Sequence, residues 1–327
     1  MQVNRVFKYF AIVLFSGALF NGCATKALKL NVNRPAEINL KNYNKIAIGD
    51  IIGENGAVSN HSRDVADKIT SALFESKKFE VLDRQNIDTL LKEHNLNASG
   101  LVNEKTAAEI GEFIGAAVLV FGRIQTDSYD EEITKGTPWT EKKGNSHQTI
   151  TREGQYKLTA HLTVVDMKTA KFLAVKDLPA ANKTSTSADN NTPEKIDSDV
   201  LYTKCLNKIT ADFMKMVAPY SVQVTALFIK DAKLPELDQA LTQFSIDEWD
   251  KGIGLLESAT KKDGLEPQVK AKAFYNLGLA QTYTGRTDEA IETLKQAITL
   301  DPKNSKYSNA LVTAKKEKEI ADKLKQQ

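Results

Sequence analysis

The sequence predicts an α/β domain, in the α+β sense of a mixed sheet flanked by helices, followed by an all-α domain of helical repeats. Three observations carry this. Short apolar runs alternate with amphipathic helical stretches across residues 45–125. Strand-like alternation returns at residues 156–175. From about Leu234 the pattern is wholly helical, with small residues at repeating positions. A chain of 327 residues has room for about two such domains. Hydrophobic content of 41% and charge of 26% are ordinary for a folded protein. A net charge of +2 gives no electrostatic reason to expect a nucleic-acid partner.

The N-terminus reads as a secretory signal over residues 1–22. Arg5 and Lys8 precede an apolar run, residues 10–20, that is too short to span a bilayer. Gly22-Cys23 closes it in the manner of a bacterial lipobox, although Phe20 and Asn21 depart from that pattern. Cys23 is therefore the expected lipidation site, and residues 23–40, rich in Lys and Asn, read as a lipidated start and a leash, either a flexible spacer or a segment packed on the domain. The second cysteine, Cys205, sits in a helical stretch and reads as a small buried hydrophobe.

The α/β domain is expected over residues 41–232. Lys45-Ile46-Ala47-Ile48 begins a core strand, and Val65, Ile69, Ala72 and Leu73 share one face of the helix after it. Phe79-Glu80-Val81-Leu82 is a strand, and Asp83 caps a helix carrying Ile87, Leu90 and Leu91. Thr106 and Glu109 fit a capping box on a helix that turns Ile110, Phe113 and Ile114 inward and stops at Gly115. Residues 116–121 are too continuously apolar for a surface strand and read as central, buried on both faces. Residues 126–154 read as a polar insertion with one Trp, Trp139. A strand, a turn and a return strand follow over residues 156–175, and residues 179–198 read as a polar loop. A helix with Leu201, Cys205, Ile209 and Phe213 on one side precedes a last strand at residues 221–228.

The run Phe79-Glu80-Val81-Leu82-Asp83-Arg84-Gln85-Asn86-Ile87-Asp88, with Ser99-Gly100-Leu101-Val102, Thr106-Ala107-Ala108-Glu109-Ile110-Gly111, Ile114-Gly115-Ala116 and Gly122, resembles the curli production assembly/transport lipoproteins, CsgG and its relatives. The resemblance implies the fold and an envelope role, and it carries no catalytic motif. Family channels build a membrane barrel from hairpins at the two places where this chain has polar segments. A membrane strand needs alternate apolar residues over about 9–11 positions. Neither segment supplies them, and Glu131-Glu132 and Lys142-Lys143 would put charge on both faces. Soluble loops are the expectation, so the chain is read as no pore by itself.

Residues 233–327 read as helical repeats with a capping helix. Phe274, Leu277, Gly278, Ala290, Leu294, Ala297 and Pro302 occupy seven positions of a tetratricopeptide repeat; Gln281 stands where that repeat usually has an aromatic. Gly252, Leu256 and Ala259 mark a degenerate repeat before it, and residues 305–327 form the cap. So few repeats are expected to lean on the first domain or on another chain. Trp249 reads as repeat core, Trp139 as either a local anchor or a partner contact, and Asn276 and Gln281 are the other candidate partner contacts.

Chemistry is sparse. The glycines at 49, 53 and 56 fit a turn and not a phosphate loop, since neither G-x-G-x-x-G nor Gly-Lys-Ser/Thr is present. His61, His94, His147 and His161 show no metal spacing, and His147 reads as solvated. Asp130-Glu131-Glu132 reads as a solvated charge run, because general acid catalysis needs a carboxyl in a dry pocket. The expectation is a non-enzymatic lipoprotein without cofactor or metal, lipid-anchored to the outer membrane on its periplasmic side. It would act as a scaffold or accessory factor in cell-envelope or curli-type assembly, binding proteins through its repeats. The alternative is an oligomeric secretion channel component of curli type, and a homo-oligomer is compatible with the resemblance.

Overall fold

The computed structural model describes residues 25–82, 117–169 and 171–327. The signal, Cys23, His94 and the helix caps read at Asp83 and Thr106 lie outside the described residues. The described chain divides into two compact units: residues 25–31 with Gln223–Glu319, and Val32–Val222 with Ile320–Gln327.

The α/β unit is built on a five-stranded sheet in the order β3-β2-β4-β7-β8. Its strands are β2 (Lys45–Ile52), β3 (Glu80–Leu82), β4 (Ala117–Lys135), β7 (Thr149–Asp166) and β8 (Phe172–Asp189). β2 runs parallel to β3 and β4, whereas β4, β7 and β8 are antiparallel. Central placement of β4 explains its first four residues, all buried. Helix α1 (Asn60–Ser76) starts at Ser59, whose hydroxyl accepts from the Ser62 amide while Ser62 Oγ accepts from the Ser59 amide. Val65, Ile69 and Leu73 on its inner face are fully buried, each stabilising the fold by about 1.5–3 kcal/mol. Helix α2 (Ser198–Val217) lays Leu201, Cys205, Ile209 and Phe213 into the same core, and Cys205 donates to the Tyr156 carbonyl at 3.6 Å. The glycine turn before α1 closes on itself: the Gly53 amide donates to Ala57 O, and Gly56 takes φ +79°.

The structure corrects the reading of the two polar segments as loops. Residues 126–135 pair with β7 from Thr126↔Thr159 to Lys135↔Ile150, and residues 179–189 pair with its other edge from Pro179↔Thr159 to Asp189↔Thr149. The result is a three-stranded arm rising from the sheet, with a small hairpin, β5 (Trp139–Thr140) and β6 (Ser146–His147), between β4 and β7. Apolar alternation failed to announce these strands because their covered face mixes Ile150 and Tyr156 with Arg152 and Gly154. Arg152 and Gly154 are buried there beneath the segment returning from β8, where Arg152 Nε donates to Pro193 O at 3.1 Å. A Cβ on Gly154 would lie 2.6 Å from Tyr129 Oη and 3.1 Å from Ile196, so only glycine admits that segment.

In the helical unit, α3 (Pro235–Ser245) pairs with α4 (Trp249–Thr260), α5 (Pro267–Tyr283) with α6 (Thr287–Leu300), and α7 (Ser305–Gln326) follows. The small repeat positions allow close approach: a Cβ on Gly278 would fall 2.5 Å from Leu294 Cγ. Trp249 stacks on Phe244 at 4.5 Å between ring centroids, as a repeat-core residue should. Two results go beyond the sequence reading. The first decides what the sequence leaves open, whether residues 23–40 are ordered: their described part includes a strand, β1 (Thr25–Arg34), paired with β9 (Tyr220–Ile229). Residues 223–232, assigned from sequence to the α/β domain, belong to the helical unit, where Ala226, Phe228 and Ile229 are buried among the repeat residues.

Candidate functional site

Two places gather polar chemistry: the foot and tip of the arm, and the groove of the repeats. At the arm's foot, His61 Nδ1 lies 2.7 Å from Asp127 Oδ2, and the Tyr156 hydroxyl donates to Asp127 Oδ1 at 2.6 Å. The His61 ring stacks on Tyr202 at 4.1 Å, and the Tyr202 hydroxyl donates to Asp64 at 2.9 Å. Burial, then the carboxylates of Asp127 and Asp64, push both phenols far above the usual tyrosine range. They remain protonated, and their hydrogen bonds make the cluster a clasp between α1, β4, β7 and α2. Higher on the arm, Glu131 accepts from Tyr129 Oη at 2.8 Å and pairs with Arg152. The Tyr129 hydrogen bond, helped by Arg152, holds the Glu131 carboxyl below the usual range against the opposing effect of desolvation. The run Asp130-Glu131-Glu132 is thus only partly a solvated one, since Asp130 also pairs with Lys157 at 3.3 Å.

At the tip, Trp139 is 55% exposed and stacks on His147 with centroids 4.6 Å apart. His147 Nδ1 pairs with Asp189 Oδ2 from the end of β8. The sequence reading of His147 as solvated is corrected: Trp139 covers one face of its ring and Asp189 fixes its nitrogen. Asn190 Oδ1 accepts from the Gln148 amide at 2.8 Å and Asn190 Nδ2 donates to Ser146 O, which braces the tip from the other side. Nothing local predicts these pairings, because the partners come from strands distant in sequence.

In the repeats, β9 occupies the surface offered by α5. The Asn276 side chain accepts from the Ile229 amide at 2.9 Å and donates to the Ile229 carbonyl at 2.7 Å, while Tyr275 Oη donates to Leu227 O at 2.9 Å. Asn276 is completely buried, so its assignment as a partner contact is corrected: its amide is used on the chain's own strand. Gln281 is corrected likewise, being 5% exposed with Nε2 3.4 Å from Glu289. What remains open is a groove of about 280 Å³ lined by Leu227, Tyr275, Leu279, Tyr283, Lys306 and Asn309 among others. Burial pushes the Tyr275 hydroxyl up to about 12. Trp139 alone of the three candidates is accessible. Cys23 lies outside the described residues. Among the described residues no group of His, Cys, Asp and Glu is placed to hold a metal ion, and no helix is long and apolar enough to cross a membrane.

Comparison with known proteins gives two family matches: the curli production assembly/transport component over residues 25–193, and the tetratricopeptide repeat over residues 271–304. No curated protein matches. Among solved structures, the LpoB C-terminal domain from Salmonella enterica is 11% identical, covering 45% of this chain and 84% of its own, with a TM-score of 0.26. A lipoprotein from Neisseria meningitidis is 12% identical over 51% of this chain and 98% of its own, with a TM-score of 0.28. The PelC dodecamer from Paraburkholderia phytofirmans is 8% identical over 59% and 99%, with a TM-score of 0.26.

Proposed function

The chain belongs to the CsgG family of curli production assembly/transport components, and from that premise we propose that it is a non-enzymatic periplasmic lipoprotein serving as a scaffold or accessory factor in envelope or curli-type surface-structure assembly. The observation that carries the reading is the joining of this family's domain to a tetratricopeptide repeat in one chain. The repeat supplies a protein-binding shape, and its uncovered groove beside Leu227, Tyr283 and Asn309 is where a partner would lie. Cys23 would carry the lipid. The residue after it, Ala24, lacks the Asp of an inner-membrane retention signal, which favours the outer membrane. Several acyl chains together would make that anchor stable where a single one is marginal.

The test is a photo-crosslinking residue at Asn309 in the lipidated protein in cells. One discrete envelope protein should be captured, and Leu227→Lys should abolish the capture. No adduct at 309, or an adduct indifferent to Leu227→Lys, sinks the docking role. Cys23→Ala should leave unprocessed or soluble protein; fractionation identical to wild type would remove the lipidation.

The oligomeric channel has one point in its favour, since the polar segments are strands. Their composition opposes it. One face of β7 on the arm carries Thr151, Glu153, Gln155 and Lys157, the other Ile150, Arg152, Gly154 and Tyr156, and neither makes an apolar band for lipid. Purified protein should give no stepwise conductance in planar bilayers; reproducible channels would restore the pore.

A further inference from the structure

We propose that the groove beside Thr25 seats one acyl chain of Cys23 while the protein is away from a bilayer, and that this chain keeps a protein partner out until a membrane draws it off. The inference rests on the lipidation proposed above and adds a control to the same groove. Thr25, the first residue of β1, is itself part of the groove wall. Only Ala24 separates it from Cys23, and two residues span at most about 7 Å, so a chain attached to Cys23 starts at the groove. Thr25 is held in place, because Leu28 and Leu30 of β1 pack against the helical core and the strand is paired with β9.

The wall suits an alkyl chain. Leu227, Leu279 and the rings of Tyr275 and Tyr283 line it, and Lys306 is its one charged residue. Leu227 is 51% exposed, an apolar side chain with room for an apolar neighbour. Two hydroxyls of the wall are already spent: Tyr275 donates to Leu227 O at 2.9 Å and Thr313 to Asn309 O at 3.0 Å. The nearby main chain is spent as well, since Asn276 takes both polar groups of Ile229. An extended peptide would need such partners, whereas an alkyl chain needs only shelter from water. Size limits the occupant to one chain. An apolar cavity of about 150 Å³ accepts a benzene ring, so a groove of about 280 Å³ accepts roughly a dozen carbons. A bilayer takes every acyl chain at once and therefore wins over the groove, which takes one.

The experiment uses the chain beginning at Cys23, made without lipid and carrying Cys205→Ala so that one thiol remains. Cys23 is alkylated with N-dodecylmaleimide or, as control, N-ethylmaleimide, and leucine methyl signals are followed by NMR. The dodecyl form should stay monomeric and shift the signals of Leu227 and Leu279, while Leu73, in the core of the α/β unit, stays unmoved. Phosphatidylcholine vesicles should return Leu279 to its position in the ethyl form. Leu227→Lys, at its half-exposed position, should abolish the shift of Leu279 and leave the dodecyl form self-associating in sedimentation. Identical spectra for the dodecyl and ethyl forms overturn the proposal, as does a shift that Leu227→Lys leaves intact. A shift that vesicles do not reverse overturns the control by the membrane. The docking role fails separately: identical spectra alongside a discrete adduct at residue 309 in cells remove the acyl seat and keep the partner, and shifted spectra without that adduct do the reverse.

Discussion

Asn276 and Asp231 show how single side chains fix the helical unit. The Asn276 amide satisfies both polar groups of Ile229 in a buried place, so Asn276→Ala leaves a donor and an acceptor unpaired. A loss of about 2–6 kcal/mol is expected, at about 1–3 kcal/mol for each of the two groups left unpaired, read as a shifted denaturation midpoint. A change under about 0.5 kcal/mol, the scale of an ordinary surface substitution, would mean the pairing is idle. Asp231 meets Lys272 at 2.7 Å, with side chains 12% and 17% exposed. Burial alone would raise the Asp231 carboxyl, but the Lys272 ammonium and the Lys233 amide outweigh it and hold the group below its usual range. A carboxyl depressed on folding stabilises above its unfolded value of about 3.9, and that contribution disappears as pH falls through the lower folded value. Lys272→Met should therefore cost about 1.5–3 kcal/mol at neutral pH, with the difference from wild type shrinking below about pH 4. A pH-independent difference in urea midpoints would contradict this. From sequence, Asn276 was recognisable as a polar residue in an apolar helix, but its partner was not, because Ile229 lies on a strand outside the repeat pattern.

At the scale of elements, the core strands and helices followed directly from periodicity. β2, α1 and the buried start of β4 match the apolar runs that announced them, and Gly278 sits where two repeat helices touch. The arm was illegible for a physical reason. Its strands are held by main-chain ladders, and Arg152 and Gly154 interrupt the covered face between Ile150 and Tyr156, so side-chain hydrophobicity carries no clear period of two. Hydrogen exchange separates the two readings: amides of residues 150–154 should be protected for minutes or longer, whereas a loop would exchange within seconds. Gly154→Val tests the cover. The new side chain would push Ile196 and the Tyr129 hydroxyl aside, at a cost of about 1–3 kcal/mol in stability. An unchanged melt would show that the returning segment is not packed there.

For the whole molecule, the sequence fold class holds, while the cut between its parts falls elsewhere. Truncation after Lys233, at the boundary that periodicity suggests, would keep β9 and remove its surroundings. Ala226, Phe228 and Ile229 would then face water, and the fragment should aggregate and bind an apolar dye. A soluble, cooperatively melting fragment would count against β9 as an integral strand of the helical unit. Sequence could not place this cut, because β9 alternates like any strand and its helical partners lie beyond it. The pairing of β1 with β9 also sets a timetable for synthesis. The strands that complete the helical unit flank the entire α/β chain, so residues 25–31 are made first and must wait for residues 223–229 before they can pair. Closure of so long a loop is slow, and the waiting strand is an open edge. Lys26 and Lys29 on that edge would discourage it from pairing with other chains during the wait.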